Sequence, residues 1–79
     1  MKKVRFYSVI ITESFETKEV SLRASYFTTL RAARSYYRVC VSYYELLQHI
    51  SDKKYAAVEL VKEYNDDESD LIDCFSRNF

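Results

Sequence analysis

The sequence predicts an α+β fold, a four-stranded antiparallel sheet in ββαββ order with one long helix packed on one face. Three observations predict it. Apolar residues recur with a period of two in the early and late parts of the chain, and with a helical period between them. The β-branched and aromatic residues that suit a pleated surface concentrate in the period-two segments. At 79 residues the chain has room for one domain, spanning residues 1–79.

Residues 3–12, KVRFYSVIIT, read as the first strand. Its faces are Val4, Phe6, Ser8 and Ile10 on one side, and Arg5, Tyr7, Val9 and Ile11 on the other. Both are largely apolar, as in a central strand. Residues 13–17 form the expected turn. From 18 to 27, Val20, Leu22, Ala24 and Tyr26 alternate with Glu19, Ser21, Arg23 and Ser25, a strand with one wet face.

The period then changes. Over residues 28–50, Leu30, Ala33, Tyr37, Cys40, Val41, Tyr44 and Leu47 follow the spacing of an amphipathic helix. Thr28 is the expected N-cap, its hydroxyl accepting from an orphan N–H. The helix is expected to end near Ser51 and Asp52, with Lys53 and Lys54 beside its negative end.

Residues 55–64 form the third strand, with Ala56, Val58 and Leu60 on one face and Glu59, Val61 and Glu63 on the other. An acidic turn over 65–69 leads to a short fourth strand over 70–77, for which a helical turn is the rival reading. Without glycine, residues with positive φ fall to Asn, Asp or a strained side chain, so turns longer than two residues are expected.

A lone helix leaves such a sheet incompletely covered. Four strands spaced about 4.8 Å apart are roughly 19 Å wide, whereas a helix with its side chains is about 10–12 Å across. The second apolar face of the first strand, carrying Tyr7, Val9 and Ile11, is therefore expected to meet a second copy or another protein. The alternative is local shielding by long tyrosine and arginine stems.

Net charge is zero but unevenly spread: residues 1–44 hold eight basic and three acidic side chains, residues 45–79 four basic and nine acidic. Arg31, Arg34 and Arg38 share one helix face near its positive end, where the macrodipole does not favour them. Two readings are open. They pair with the acidic set Asp66, Asp67, Glu68, Asp70 and Asp73, within the fold or across a dimer, or they grip carboxylates or phosphates of a partner. Tyr37 and Tyr44 face the core in this pattern. Tyr36 and Tyr43 lie lateral to it, either as interface anchors or as a roof over the sheet edge. Together with Glu59 and Glu63, this acidic set is either a solvated face and turn or a phosphate-like surface that occupies a nucleic-acid groove of another protein.

Several chemistries are excluded. His49 is the only histidine, so a catalytic triad or a metal shell lacks donors. The absence of glycine removes P-loops and dinucleotide fingerprints. No catalytic residue, cofactor, metal or small-molecule substrate is expected, and the chain is read as a non-enzyme. Cys40 and Cys74 are far apart in sequence and read as reduced thiols, with a single bridge as the alternative. After Met1 the apolar run stops at Ile11, too short for a signal peptide, and no run approaches the ~20 residues of a membrane span. A cytoplasmic, soluble protein with no membrane partner is expected.

In size, compactness and lack of motif, the chain resembles in general style the small accessory proteins of phages and mobile elements, including inhibitors of host defence nucleases such as anti-CRISPR proteins. The resemblance covers no motif and transfers no residue; it implies an inhibitor acting in the host cytoplasm. The leading expectation is thus a protein-binding module, with a homodimer its most economical form. Its candidate contacts are Tyr7, Val9, Ile11, Arg31, Arg34, Tyr36, Arg38, Tyr43, Asp66, Asp67, Glu68 and Asp70. Two alternatives stand beside it. One is a nucleic-acid binder using Arg23, Arg31, Arg34, Arg38 and exposed tyrosines, against which a pI near 6.6 counts. The other is a structural subunit of a larger assembly.

Overall fold

A computed structural model describes residues 2–48 and 52–79. The elements follow the order β1 (Val4–Phe15), β2 (Val20–Phe27), α1 (Leu30–Leu46), β3 (Lys53–Tyr64) and β4 (Ser69–Asn78). The strands form one antiparallel sheet ordered β2-β1-β3-β4. β1 and β3 are therefore the inner pair, and α1 carries the chain from the edge strand β2 across β1 to β3.

Both hairpins close without glycine, and in the same way. Lys18 N–H donates to the Phe15 carbonyl and Phe15 N–H to the Glu19 carbonyl. In the second hairpin, Asp67 N–H donates to Tyr64 and Tyr64 N–H to Glu68. Each is a three-residue loop whose last residue has positive φ, 70° at Lys18 and 65° at Asp67. Asp67 belongs to a residue type that tolerates this region; Lys18 carries the Cβ penalty without such help.

The helix begins one residue later than its stripe suggested. Thr29 is the N-cap, its hydroxyl accepting from Ala32 N–H at 3.2 Å. Ala33, Tyr37, Cys40 and Tyr44 form the buried stripe. The helix stops at Leu46, where Leu47 turns extended, short of the expected end; of that tail, His49, Ile50 and Ser51 lie outside the described residues. Lys53 and Lys54 stand in β3 rather than beside a helix terminus. The orphan carbonyls at this end are taken instead by β4. Arg77 Nη1 donates to the carbonyls of Tyr44 (2.6 Å), Glu45 (2.9 Å) and Leu47 (3.0 Å), fixing the helix end to the edge of the sheet.

Register decides which face α1 covers. Val9 of β1 pairs with Leu60 of β3, and Ile11 with Val58. The inner strands thus offer one continuous aliphatic surface, and the helix stripe packs there. Tyr7, Val9 and Ile11, expected on the uncovered side, lie under the helix: Val9 is fully buried, Ile11 nearly so, and Tyr7 packs against this core. Because β1 is apolar on both sides, its own pattern cannot choose between them; the one-sided pattern of β3 makes the choice.

The consequence falls on β2. Its apolar residues pair with the opposite side of β1, Ala24 with Ile10 and Leu22 with Thr12. They therefore point away from the helix, while Ser21, Arg23 and Ser25 lie on the helix side. The expected wet and dry faces of this strand are interchanged. The Cα trace is only 15 Å deep along its shortest axis, two layers and no more. Both cysteines are free, Cys40 buried under the helix and Cys74 exposed. Among the described residues no helix is long and apolar enough to cross a membrane.

Candidate functional site

The uncovered face of the sheet is built row by row from the strand pairings. Its inner rows carry Phe6, Ser8, Ile10 and Thr12 of β1 against Glu63, Val61, Glu59 and Ala57 of β3. On β2 it continues into Val20, Leu22, Ala24 and Tyr26, and on β4 into Leu71, Cys74 and Ser76. Four of these side chains stand well into solvent: Val20 is 68% exposed, Leu22 66%, Tyr26 65% and Leu71 56%. The edge of Phe6 meets the Tyr26 ring, with centroids 5.2 Å apart, so one end of the face is an aromatic platform.

Polar groups on this face are few and acidic. Glu63 Oε2 accepts from the Ser8 hydroxyl at 2.9 Å. Glu59 sits in the central row, half-buried between Ile10 and Cys74, and makes no hydrogen bond or ion pair with the described residues. The paired rows place no lysine or arginine on this side. The face is largely apolar, and of its two central-strand carboxylates Glu63 is held by Ser8 while that of Glu59 has no partner among the described residues. No protein-family model matches this chain, and neither a curated protein nor a solved structure matches it significantly. The surface chemistry alone carries the functional reading.

The remaining candidate residues fall at separate places. Arg31, Arg34 and Arg38 line a shallow concavity on the outer side of α1 with Ser35 and Val39. Among the described residues none of the three joins an ion pair. The acidic turn finds other partners: Glu68 pairs with Lys2, Asp67 with Arg5 at 3.6 Å, and Asp70 accepts from the Tyr64 hydroxyl at 2.7 Å. Asp66 caps the same turn by accepting from Glu68 N–H. Within one chain, the helix arginines form no ion pair with this turn among the described residues.

Tyr36 and Tyr43 lie lateral and partly exposed as the helical spacing requires, on the flank of α1 that overhangs β2. Tyr36 leans on Phe27 of β2, with centroids 5.5 Å apart, and Tyr43 meets Tyr44 edge-on at 5.0 Å.

A buried acid beneath this flank was missed by sequence reasoning. Glu13, assigned to a turn, is the last core-side residue of a strand that runs to Phe15, and it is only 7% exposed. Tyr44 Oη donates to its Oε2 at 2.8 Å, while Arg23 and Lys53 approach its two oxygens at 3.6 Å each. Burial, the hydrogen bond to Glu13 and its negative charge all push the Tyr44 hydroxyl pKa up. The available signal was the continued alternation Val9, Ile11, Glu13.

Proposed function

We propose that this protein is a non-enzymatic binding module that docks another polypeptide onto the uncovered face of its sheet. The observation that carries the reading is the exposure of Val20, Leu22 and Tyr26 along β2 and of Leu71 on β4, at the two edges of the sheet face that holds Glu59. Solvent-facing apolar fields of this extent mark interaction sites. Area agrees with this. Strands paired over eight to eleven residues, at about 3.4 Å rise and about 4.8 Å spacing, give a field of roughly 600 Å² before corrugation, somewhat below the ~800 Å² per partner of a standard interface.

Charge complementarity indicates the kind of partner. A buried carboxylate left unpaired costs several kcal/mol, on the order of the worth of a whole hot spot. The face therefore suits an apolar surface that brings a lysine or arginine to Glu59. A second copy seated squarely on the same face would set two Glu59 carboxylates toward each other, so a different polypeptide fits better than a homodimer.

The test compares variants on opposite sides of the molecule. Leu22→Glu with Tyr26→Glu, and Arg31→Glu with Arg34→Glu, are used as baits in cells that make the protein. The first pair loses the partner held by wild type and the second keeps it; the opposite pattern removes this reading. A wild-type dimer by light scattering that the Leu22→Glu change dissociates assigns the face to a second copy.

One observation favours a second reading. The row Arg31, Arg34 and Arg38, which joins no ion pair among the described residues, is placed to meet phosphates, as a nucleic-acid contact requires. Retention on generic DNA or RNA that falls with salt and with Arg34→Ala supports it; no retention at low salt removes it. The inhibitor reading rests on size and style, and no feature of the fold adds to it.

A further inference from the structure

The two edges of the sheet are unequal. β4 carries two acids, Asp70 and Asp73, and its pairing with β3 is interrupted by a register shift at Leu60 and Val61. Charges and irregularities of this kind discourage the addition of a further strand. β2 has neither defence. Its register with β1 runs unbroken from Val20 to Phe27, and Arg23 is its one charged side chain.

The first hairpin decides which backbone groups of β2 face outward. Phe15 N–H donates to the Glu19 carbonyl. Counting in twos from that bond, Ser21, Arg23 and Ser25 exchange backbone bonds with Glu13, Ile11 and Val9. Leu22, Ala24 and Tyr26 alternate with them, so their N–H and C=O groups point away from β1, along an edge that no other strand covers. The side chains of the same three residues belong to the open face, where Leu22 and Tyr26 stand well into solvent.

We propose that two copies of this chain pair antiparallel through β2, joining their four-stranded sheets into one. Side chains keep their faces only when the two-fold axis passes beside a single residue. An axis at Arg23 sets two guanidinium groups directly against each other, which is unfavourable. An axis at Ala24 sets Leu22 opposite Tyr26 of the copy and Arg23 opposite Ser25. Each outward N–H from Leu22 to Tyr26 then finds a carbonyl. The helices leave room for this, because α1 packs mainly on β3 and β1. At about 4.8 Å per strand the two helix axes stand about 19 Å apart, against a helix diameter of about 10–12 Å.

Pairing also completes the docking surface. A single face places Val20, Leu22 and Tyr26 at its rim, whereas the strongest contacts of an interface lie near its centre. In the joined sheet these residues meet at the middle of a face of about twice the area, and the two Glu59 carboxylates lie on the same side rather than opposed. The edge contact is made by backbone groups and stands whether or not a partner docks on the face.

The test needs only the isolated protein. Light scattering and amide hydrogen exchange are followed from about 10 μM to about 1 mM, and because one strand pair is a small interface, dimers are expected in the upper part of this range. The Leu22, Ala24 and Tyr26 amides slow as the dimer forms, while those of Ser21, Arg23 and Ser25 are protected throughout. Ala24→Pro removes an outward donor and no bond to β1, so it keeps a dispersed spectrum and remains a monomer. Leu71→Glu, on the same face but at the β4 edge, keeps the dimer. Leu22→Glu keeps it too, since the register sets position 22 opposite Tyr26 and not a second acid. A wild-type protein that is still a monomer at the top of the range, a dimer that survives Ala24→Pro, or one that Leu71→Glu parts would each overturn the proposal.

Discussion

The two faces of this sheet are made by the same strands, yet only one of them is finished. Under α1, Val9, Ile11, Val58 and Leu60 interdigitate with Tyr37, Cys40 and Tyr44 into a dry core. On the other side, Leu22, Tyr26 and Leu71 are as apolar but stand in water. Strand alternation in β1 creates two apolar faces where the chain supplies one helix. Apolar residues that contribute nothing to the core are retained for another reason, and a partner surface is the physical reason available.

The contrast is sharpest between two leucines. Leu60→Ala empties space in a packed core and costs about 2–5 kcal/mol in chemical denaturation. Leu22→Ala removes the same atoms from solvent and changes the stability of the isolated protein by no more than about 0.5 kcal/mol. Equal losses at the two positions would break the comparison.

Next in size is a pH effect confined to the covered face. Burial, helped by the charge of Asp73 and a hydrogen bond with it, raises the Tyr37 hydroxyl from 10.0 to about 12. Between those values the unfolded chain has released this proton and the native state still holds it, so rising pH favours unfolding. The contribution is whole below pH 10 and gone above pH 12, a loss of about 2 kcal/mol. Denaturation midpoints measured across this window should fall for wild type and fall less for Tyr37→Phe.

Smaller still is the clamp between β4 and the helix end. Arg77→Gln removes a charged donor from three helix carbonyls and is expected to cost about 1–2 kcal/mol, with faster amide exchange in the last turn of α1. The smallest effect has the opposite sign. Lys18→Gly relieves a left-handed residue in the first hairpin and should stabilise by about 0.5–1 kcal/mol in the same denaturation assay.

The ββαββ order and the type of each element were legible because their periods are local. So were the buried helix stripe, the buried face of β3 and the lateral placing of Tyr36 and Tyr43. What could not be read was set by pairing between distant segments. The covered side of β1 depends on its register with β3, and Tyr7, Val9 and Ile11 were assigned to the wrong side for that reason. The exposed apolar row of β2 followed from the same step. The helix was drawn too long because Leu46, Leu47 and Gln48 offer no glycine or proline stop; the terminating contact comes from Arg77, some thirty residues away. Glu13 looked like turn chemistry because a buried acid is explicable only once Tyr44, Arg23 and Lys53 surround it. Glu59 was read as lying with Val61 and Glu63 opposite Ala56, Val58 and Leu60, as it does, but that this is the side α1 leaves uncovered appears only when all four strands are aligned.

Cys74 makes the docking claim directly accessible. It is exposed on the open face beside Glu59, whereas Cys40 is buried under the helix. A photo-activated crosslinker attached at Cys74 in cells that produce the protein is predicted to trap one discrete polypeptide, joined through a peptide that carries lysine or arginine among apolar residues. The same probe placed by Ser35→Cys, with Cys74→Ser, should trap none. Adducts from Ser35→Cys and none from Cys74 would contradict the account.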